Sequence, residues 1–322
     1  MVVQAVDLSI IFPVRNLQDE LSGILSHVQR QMGNLSSELI VVDMDSQDAT
    51  VVNALNLLHE ANISGYVIQN GAGTPAAALN SGIQRARGKY ISFLFARRLY
   101  DNILEGYVST AEHTDADVVF GSVTESDSRS AERQSMSRVV KTRPGNSYIQ
   151  DYLEEKLPLD IAAVLIRRQF LLENQLWFSG ECRYGYAREF LLCCLMRAEK
   201  VVQSPVLMVR SPEYEVTRSF QDITAREVFQ EIESALRVRD IAWCEHGQDT
   251  ELLDRIDSCL IPSAIMHCVD VLLREGILPT VIRRELKKNG YQKLLKAGKY
   301  TPPVLKKKIS HWKSPLHSYE AE

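Results

Sequence analysis

Residues 38–50, ELIVVDMDSQDAT, hold the run that decides the fold. The apolar stretch Leu39–Val42 is short, rich in β-branched residues and closed by an acid, Asp43, which marks a buried strand rather than a helix. Small polar residues follow, and then a helical pattern over about 48–61 with Val51, Leu55 and Leu58 on one face. A strand that ends on a polar loop and feeds a helix is one unit of an α/β architecture.

The same unit recurs on both sides. Upstream, LSIIFPV (8–14) is a buried-strand run. Asn16 stands where a cap would start a helix whose apolar stripe is Leu17, Leu21, Ile24, Leu25, Val28 and Met32. Downstream, GYVIQ (65–69) is a third strand, followed by a glycine-rich loop and helix in GAGTPAAALNSGIQRARG (71–88). KYISFLF (89–95) is a fourth strand and DVVFGSV (117–123) a fifth, while residues 124–150 are polar and read as a long loop. From about Pro212 the strands stop, and amphipathic helical stretches run to the end. Alternating strands and helices with short connections predict a mainly parallel sheet covered on both faces. Ligands in such sheets sit beyond the carboxyl ends of the strands, and here those ends carry Pro13, Asp43, Asp45, Arg97 and Arg98.

The bulk composition agrees with a soluble globular chain. Of 322 residues, 45% are hydrophobic and 24% charged, and no run approaches the about 18 consecutive apolar residues that span a bilayer. The first residues lack the basic flank and cleavage site of a signal peptide, so the six cysteines read as reduced thiols. CEH (244–246) and HC (267–268) fit no common zinc spacing and are set aside as thiols and imidazoles on helix faces. The net charge of −4 is uneven, with eleven Lys or Arg against the single acid Glu285 between Val281 and His317. A basic tail on an acidic body points to an anionic partner or a solvated helix face. No nucleic-acid recognition motif accompanies the charge, so no nucleic-acid partner is expected.

Several motifs in order resemble the GT-A fold glycosyltransferases of family 2. SIIFPVRN is similar to their opening strand and loop, and ELIVVDMDSQDAT to their EIIVVDDGSTDGT. AALNSGIQRARGKYISFL is similar to their ARNxGIxxAxGxYIxFL, and LWFSGECRYGYAREFLLCCLMRAEKVV follows the outline of the segment with the catalytic base. The resemblance covers about the first two thirds of the chain. It implies a GT-A (Rossmann-like) domain over residues 1–215 and a helical C-terminal region with a basic tail over 216–322. It also implies a nucleotide-sugar site, UDP-type in most members, with Asp43 accepting from the base or ribose and Pro13 and Val14 lining the base pocket. Asp45, in the position of a family glycine, and Asn80 belong to that region, and so do Arg97 and Arg98.

Two departures define this chain. The family's DxD motif after the fourth strand, within FLDADD, binds the divalent cation that neutralises the departing pyrophosphate. Here the hexapeptide is FLFARR: Phe95 and Arg97 replace the two DxD acids and Arg98 the acid after them. Guanidiniums cannot hold a divalent cation, so no metal and no cofactor are expected. The base acid in turn aligns with Tyr186 and Ala187, leaving Glu181 and Glu189 as weak substitutes.

Three accounts of the arginines stay open. Together they could stand in for the +2 of a metal, with forks well shaped for phosphate, in an active metal-independent transferase. Arg97 could fold back on Asp43 or Asp45 and close the pocket in a pseudo-glycosyltransferase, which would act as a binding module or as partner of an active transferase. Or the doublet could be a plain surface feature. GAGTP (71–75) is a faint echo of a nucleotidyltransferase loop, but it precedes the third helix rather than the first. The expected location is cytoplasmic, with the basic stretch VLKKKISHWKSPL either touching the inner membrane face or docked as a helix with its lysines in water.

Overall fold

The structure, a computed structural model, describes residues 5–122, 141–154, 156–157, 159–211 and 224–313. The chain divides into two compact units. The first contains Met1–Ser147, Pro158–Cys182 and Cys194–Arg218; the second contains Tyr148–Leu157, Arg183–Cys193 and Ser219–Glu322. A single cut at 215 leaves residues 148–157 and 183–193 with the sheet, whereas the contacts place both in the helical unit.

The first unit is built on strands β1 (Leu8–Val14), β2 (Ser37–Asp43), β3 (Gly65–Gln69), β4 (Tyr90–Phe93), β5 (Tyr100–Asp101), β6 (Val118–Ser122), β7 (Thr142–Arg143), β8 (Val164–Arg167), β9 (Val201–Leu207) and β10 (Val209–Arg210). Eight of them form one sheet in the order β3-β2-β1-β4-β8-β6-β9-β7, and β10 pairs with β5 apart from it. The run β3-β2-β1-β4 is parallel throughout; β8 lies antiparallel to both β4 and β6. Helices α1 (Leu21–Met32), α2 (Thr50–Glu60), α3 (Pro75–Arg85) and α4 (Leu104–Thr114) connect and cover it. The mainly parallel α/β sheet expected from the sequence is what forms. The expected long loop at 124–150 lies largely outside the described residues; its end forms β7 and the helix Asn146–Leu153.

Every residue of β1 is buried, as a strand covered on both faces requires. The α1 stripe read from the sequence is buried from Leu17 to Met32. On α2 the face is different: Thr50, Ala54 and Leu58 are buried, whereas Leu55 is half exposed. Small residues let α2 lie close to its neighbours, and the bulkier Leu55 turns outward. On α3, a Cβ at Gly82 would meet the Ile11 side chain at 2.3 Å, so only glycine lets this helix pack so near β1.

The loops after β1 and β2 are laced together. Asn16 does not cap α1. Its amide N–H donates to Ser46 Oγ at 2.9 Å, and its Oδ1 accepts from Gln47 N at 2.8 Å. The amide of Leu17 donates to Thr50 Oγ1 at 2.7 Å and Gln18 N to Asp48 at 3.2 Å, while Gln18 Oε1 accepts from Ala49 N at 3.1 Å. Burial pushes the Asp48 carboxyl up, but the bonds from Thr50 and Gln18 outweigh it and hold it below the usual carboxylate range.

At the opposite edge of the sheet Glu38 is completely buried at the start of β2. Its Oε1 accepts from Ser9 Oγ and from Arg87 N, both at 2.7 Å; its Oε2 accepts from Arg87 Nε at 2.9 Å and Nη2 at 2.7 Å. Ser9 Oγ in turn accepts from Gly88 N at 2.8 Å. One carboxylate thus ties β1, β2 and the turn into β4.

The second unit is helical where described after Thr224. Its long helix runs from Thr250 to Arg274 through a wider π turn at Ile256–Leu260. Pro262 explains the turn, because it has no N–H for the carbonyl four residues back and its ring crowds that carbonyl. Ser258 O is instead satisfied by Thr301 Oγ1 at 2.7 Å. By length and composition this helix could cross a membrane, yet 72% of its apolar window is buried within the protein, as in a core helix. Its one buried cation, Arg255, bonds Glu154 and Glu251 and lies 3.7 Å from the centre of the Tyr300 ring. The basic tail helix Pro303–Lys313 buries Ile309 and Trp312, and Arg283 stacks 4.6 Å from the Trp312 ring and caps the last carbonyls. Lys306 and Lys307 stay exposed.

Candidate functional site

The carboxyl ends of the parallel strands are the place to look for chemistry. Val14 and Asp43 are register partners at the ends of β1 and β2. Val14 is 1% exposed and belongs to the hydrophobic core, and Pro13 is buried as well. Their side chains therefore pack the sheet instead of lining an open base pocket. Asp43 is 3% exposed, and both its oxygens accept from Ser46 N at 3.3 Å. Long bonds to one amide leave the carboxylate with acceptor capacity to share.

Asp45 has a left-handed backbone, with φ of 63°. That conformation favours glycine and tolerates aspartate, which accounts for an acid standing where the resemblance expects glycine. It does not cap α2, whose first residues are served by Asp48 through Thr50 N at 3.0 Å.

Asn80 has both ends of its amide engaged: Nδ2 donates to Phe178 O at 2.8 Å and Oδ1 accepts from Phe178 N at 2.9 Å. Thr74, which caps α3, also donates through its hydroxyl to Gly180 O. Asn80 and Thr74 thus fasten the segment around Phe178–Gly180 to α3, and Asn80 is a structural clamp here.

After β4 the chain turns tightly, with Arg98 N donating to Phe95 O at 2.9 Å. The turn displays two exposed guanidiniums in different states. Arg98 Nη1 is 3.2 Å from Asp160 Oδ1. Asp160 also accepts from Tyr100 Oη at 2.9 Å and from Ala162 N at 3.0 Å. Burial, then the neighbouring Asp160, push the Tyr100 hydroxyl up to about 12, against the opposing fields of Arg98 and Arg210. The Arg97 guanidinium has no hydrogen bond or ion pair among the described residues, and it does not fold back on Asp43 or Asp45. No sequence pattern marks Arg210, whose Nη2 donates to Arg97 O at 3.2 Å. It reaches the turn only because β10 pairs with β5 across more than a hundred residues.

The two glutamates named as substitute bases differ. Glu189 is 7% exposed and fully engaged, accepting from Arg237 Nε at 2.9 Å, Arg237 Nη2 at 2.7 Å and Ser234 Oγ at 2.6 Å. Both carboxylate oxygens are therefore occupied by these donors. Glu181 is exposed and has no partner among the described residues. For a divalent cation the fit fails at the turn after β4, since hard cations need several oxygen ligands. Phe95, Arg97 and Arg98 offer no side-chain oxygen, and the carbonyls of Phe95 and Arg97 already accept from Arg98 N and Arg210. Among the described residues no group of three or more His, Cys, Asp or Glu side chains could hold a metal.

A model of the family described as Glycosyl transferase family 2 matches residues 9–176. No curated protein sequence matches the chain. Among solved structures, residues 1–349 of TarS from S. aureus align with a TM-score of 0.55 at 14% identity, covering 78% of this chain and 70% of that one. The same TarS fragment in complex with UDP-GlcNAc gives 0.52 at 12% identity over 95% and 89% of the two chains. The mannosyltransferase PcManGT from Pyrobaculum calidifontis, in complex with GDP-Man and Mn2+, gives 0.52 at 14% identity over 96% and 85%. At these identities the likeness is one of fold.

Proposed function

The chain belongs to glycosyl transferase family 2, and from that premise we propose that it is a pseudo-glycosyltransferase: a protein derived from a nucleotide-sugar-dependent transferase of polysaccharide or glycoconjugate assembly, in which metal-dependent transfer is lost. The observation that carries this reading is the turn after β4, where Phe95, Arg97 and Arg98 stand in place of metal-binding acids. The engagement of Glu189 by Arg237 and Ser234 supports it, since it leaves the base segment without a free buried carboxylate. In this role the protein works in the cytoplasm as a binding module or as partner of an active transferase. The exposed Lys306 and Lys307 of the tail helix are available for contact with the inner membrane face.

One observation favours a second reading. Arg97 is exposed and has no partner among the described residues, so its guanidinium can meet a UDP-type donor in a metal-independent transferase using Arg97 and Arg98. UDP release separates the two. The protein is incubated with UDP-sugars, in Mn2+ or in EDTA, with lipid and glycan extracts as acceptors. The pseudo-glycosyltransferase releases no UDP above the Arg97→Ala background in either condition. Release that survives EDTA and is lost in Arg97→Ala establishes the second reading, and Mn2+-stimulated release overturns both.

A further inference from the structure

The turn after β4 is surrounded by more positive charge than its own two arginines supply. Arg210 joins it from β10, where it is the register partner of Tyr100, and the pairing is extended by Ser211 N donating to Leu99 O at 2.9 Å. Its Nη2 is anchored on the Arg97 carbonyl at 3.2 Å. That neutral acceptor fixes the guanidinium without cancelling its charge, and among the described residues its other N–H groups have no acceptor. Arg98 is anchored differently, on Asp160, which is itself held by Tyr100 and Ala162. Among the described residues Arg98 alone of the three guanidiniums is paired with a carboxylate, so Arg97 and Arg210 carry two positive charges without a carboxylate partner there, on side chains that are all exposed. That is the charge of a divalent cation, carried by planar forks that match phosphate oxygens. It also stands at the strand ends where a ligand would bind.

We propose that Arg210 and Arg97 form a metal-free binding site for a diphosphate group, with Arg98 held beside them against Asp160. The proposal rests on the reading that this edge of the sheet still accepts a nucleoside diphosphate, and it holds whether or not transfer follows. Arg210 is the residue that neither the family motif nor the sequence pattern marks.

Titration calorimetry with UDP, with inorganic pyrophosphate and with uridine, each in EDTA and again in Mn2+, tests it. UDP and pyrophosphate are expected to bind equally well in both conditions. Arg210→Ala and Arg97→Ala each weaken that binding about tenfold, the effect of one charge-assisted contact to phosphate. Arg210→Lys recovers part of the loss. Arg85→Ala is the control: it removes the same charge from the exposed end of α3, at the other edge of the sheet, and is expected to change affinity less than about twofold. Arg210 and Arg85 variants that weaken binding equally overturn the proposal, since the effect is then bulk charge, and so does binding that requires Mn2+. Pyrophosphate binding lost in Arg210→Ala, with no binding of UDP, keeps the cation site and overturns the nucleotide reading. UDP binding untouched by Arg210→Ala does the reverse.

Discussion

Replacing Glu38 with glutamine tests whether the buried carboxylate at the amino edge of the sheet stabilises the first unit. The substitution keeps the shape and removes the charge. If the amide oxygen continues to accept from Ser9 and Arg87 N, the new NH2 group faces the Arg87 guanidinium, donor against donor. The arginine then turns to water, which its 61% exposed side chain can do. Two charge-assisted bonds are lost and a buried NH2 is left without an acceptor. Each such bond has a net worth of about 1.5–3 kcal/mol, discounted here for the exposure of Arg87, and the orphaned donor costs about 1–3 kcal/mol. The sum is about 3 kcal/mol, or roughly 150-fold in the opening equilibrium. Hydrogen exchange of peptides covering 8–14 and 37–43 reads this unit separately from the other. The sign with pH is fixed by the direction of the carboxyl shift. Burial raises the Glu38 pKa, but the bonds from Ser9 and Arg87 prevail and hold it below its ordinary value of 4.5. Its stabilisation is therefore complete above that value and is lost as pH falls through the lower folded value. The wild-type-to-variant protection ratio should be largest near neutrality and shrink steadily below pH 4.5. A ratio near one at neutral pH, or one that does not change with acid, would refute the reasoning.

Three further outcomes follow from the same geometry. Asn80→Ala removes both partners of the Phe178 backbone and should speed exchange of residues 176–182 by about tenfold, the worth of roughly 1–2 kcal/mol, while the peptide covering β2 is unchanged. Thr301→Val orphans the buried Ser258 carbonyl and should destabilise the helical unit by about 1–3 kcal/mol. In a Pro262→Ala background the helix can supply its own N–H, so the same substitution should cost measurably less in a double-mutant cycle of thermal midpoints. Glu189→Gln breaks the ion pair with Arg237 and should lower the melting midpoint of the helical unit; with Arg237 partly exposed the cost is about 2 kcal/mol. An unchanged midpoint would return Glu189 to the list of free carboxylates.

What the sequence revealed and what it hid divide by the range of the interactions. The β1 and β2 runs and the stripe of α1 were legible because burial on a strand or helix face repeats within a few residues. Hydrophobic bulk alone points Leu55 inward, whereas α2 packs through Thr50, Ala54 and Leu58. Asn16 has the local signature of a cap, but its partners, Ser46 and Gln47, lie about thirty residues on. The place of Asp43 at the end of β2 was legible from the apolar run before it; the burial of Pro13 and Val14 was not, since alternation alone does not say whether the far side of a strand end is covered. Phe95, Arg97 and Arg98 themselves are plain in the sequence. Arg210 is not, because its two-residue strand carries no pattern and only the pairing of β10 with β5 brings it to the turn.

The lacing between the loops after β1 and β2 bears on which substitutions those loops can accept. Asn16, Gln18, Ser46, Asp48 and Thr50 each meet a partner on the other loop, so a change at one of these positions leaves an unmatched group at another. Because each bond joins a side chain to a backbone N–H, the loss falls on the main chain of the other loop and no side-chain change there can make it good. The acid at the end of β2 sits among these positions. Its backbone is held by neighbours on both loops, whereas the side-chain hydrogen bonds among the described residues at the turn after β4 come from the exposed Arg98 and Arg210.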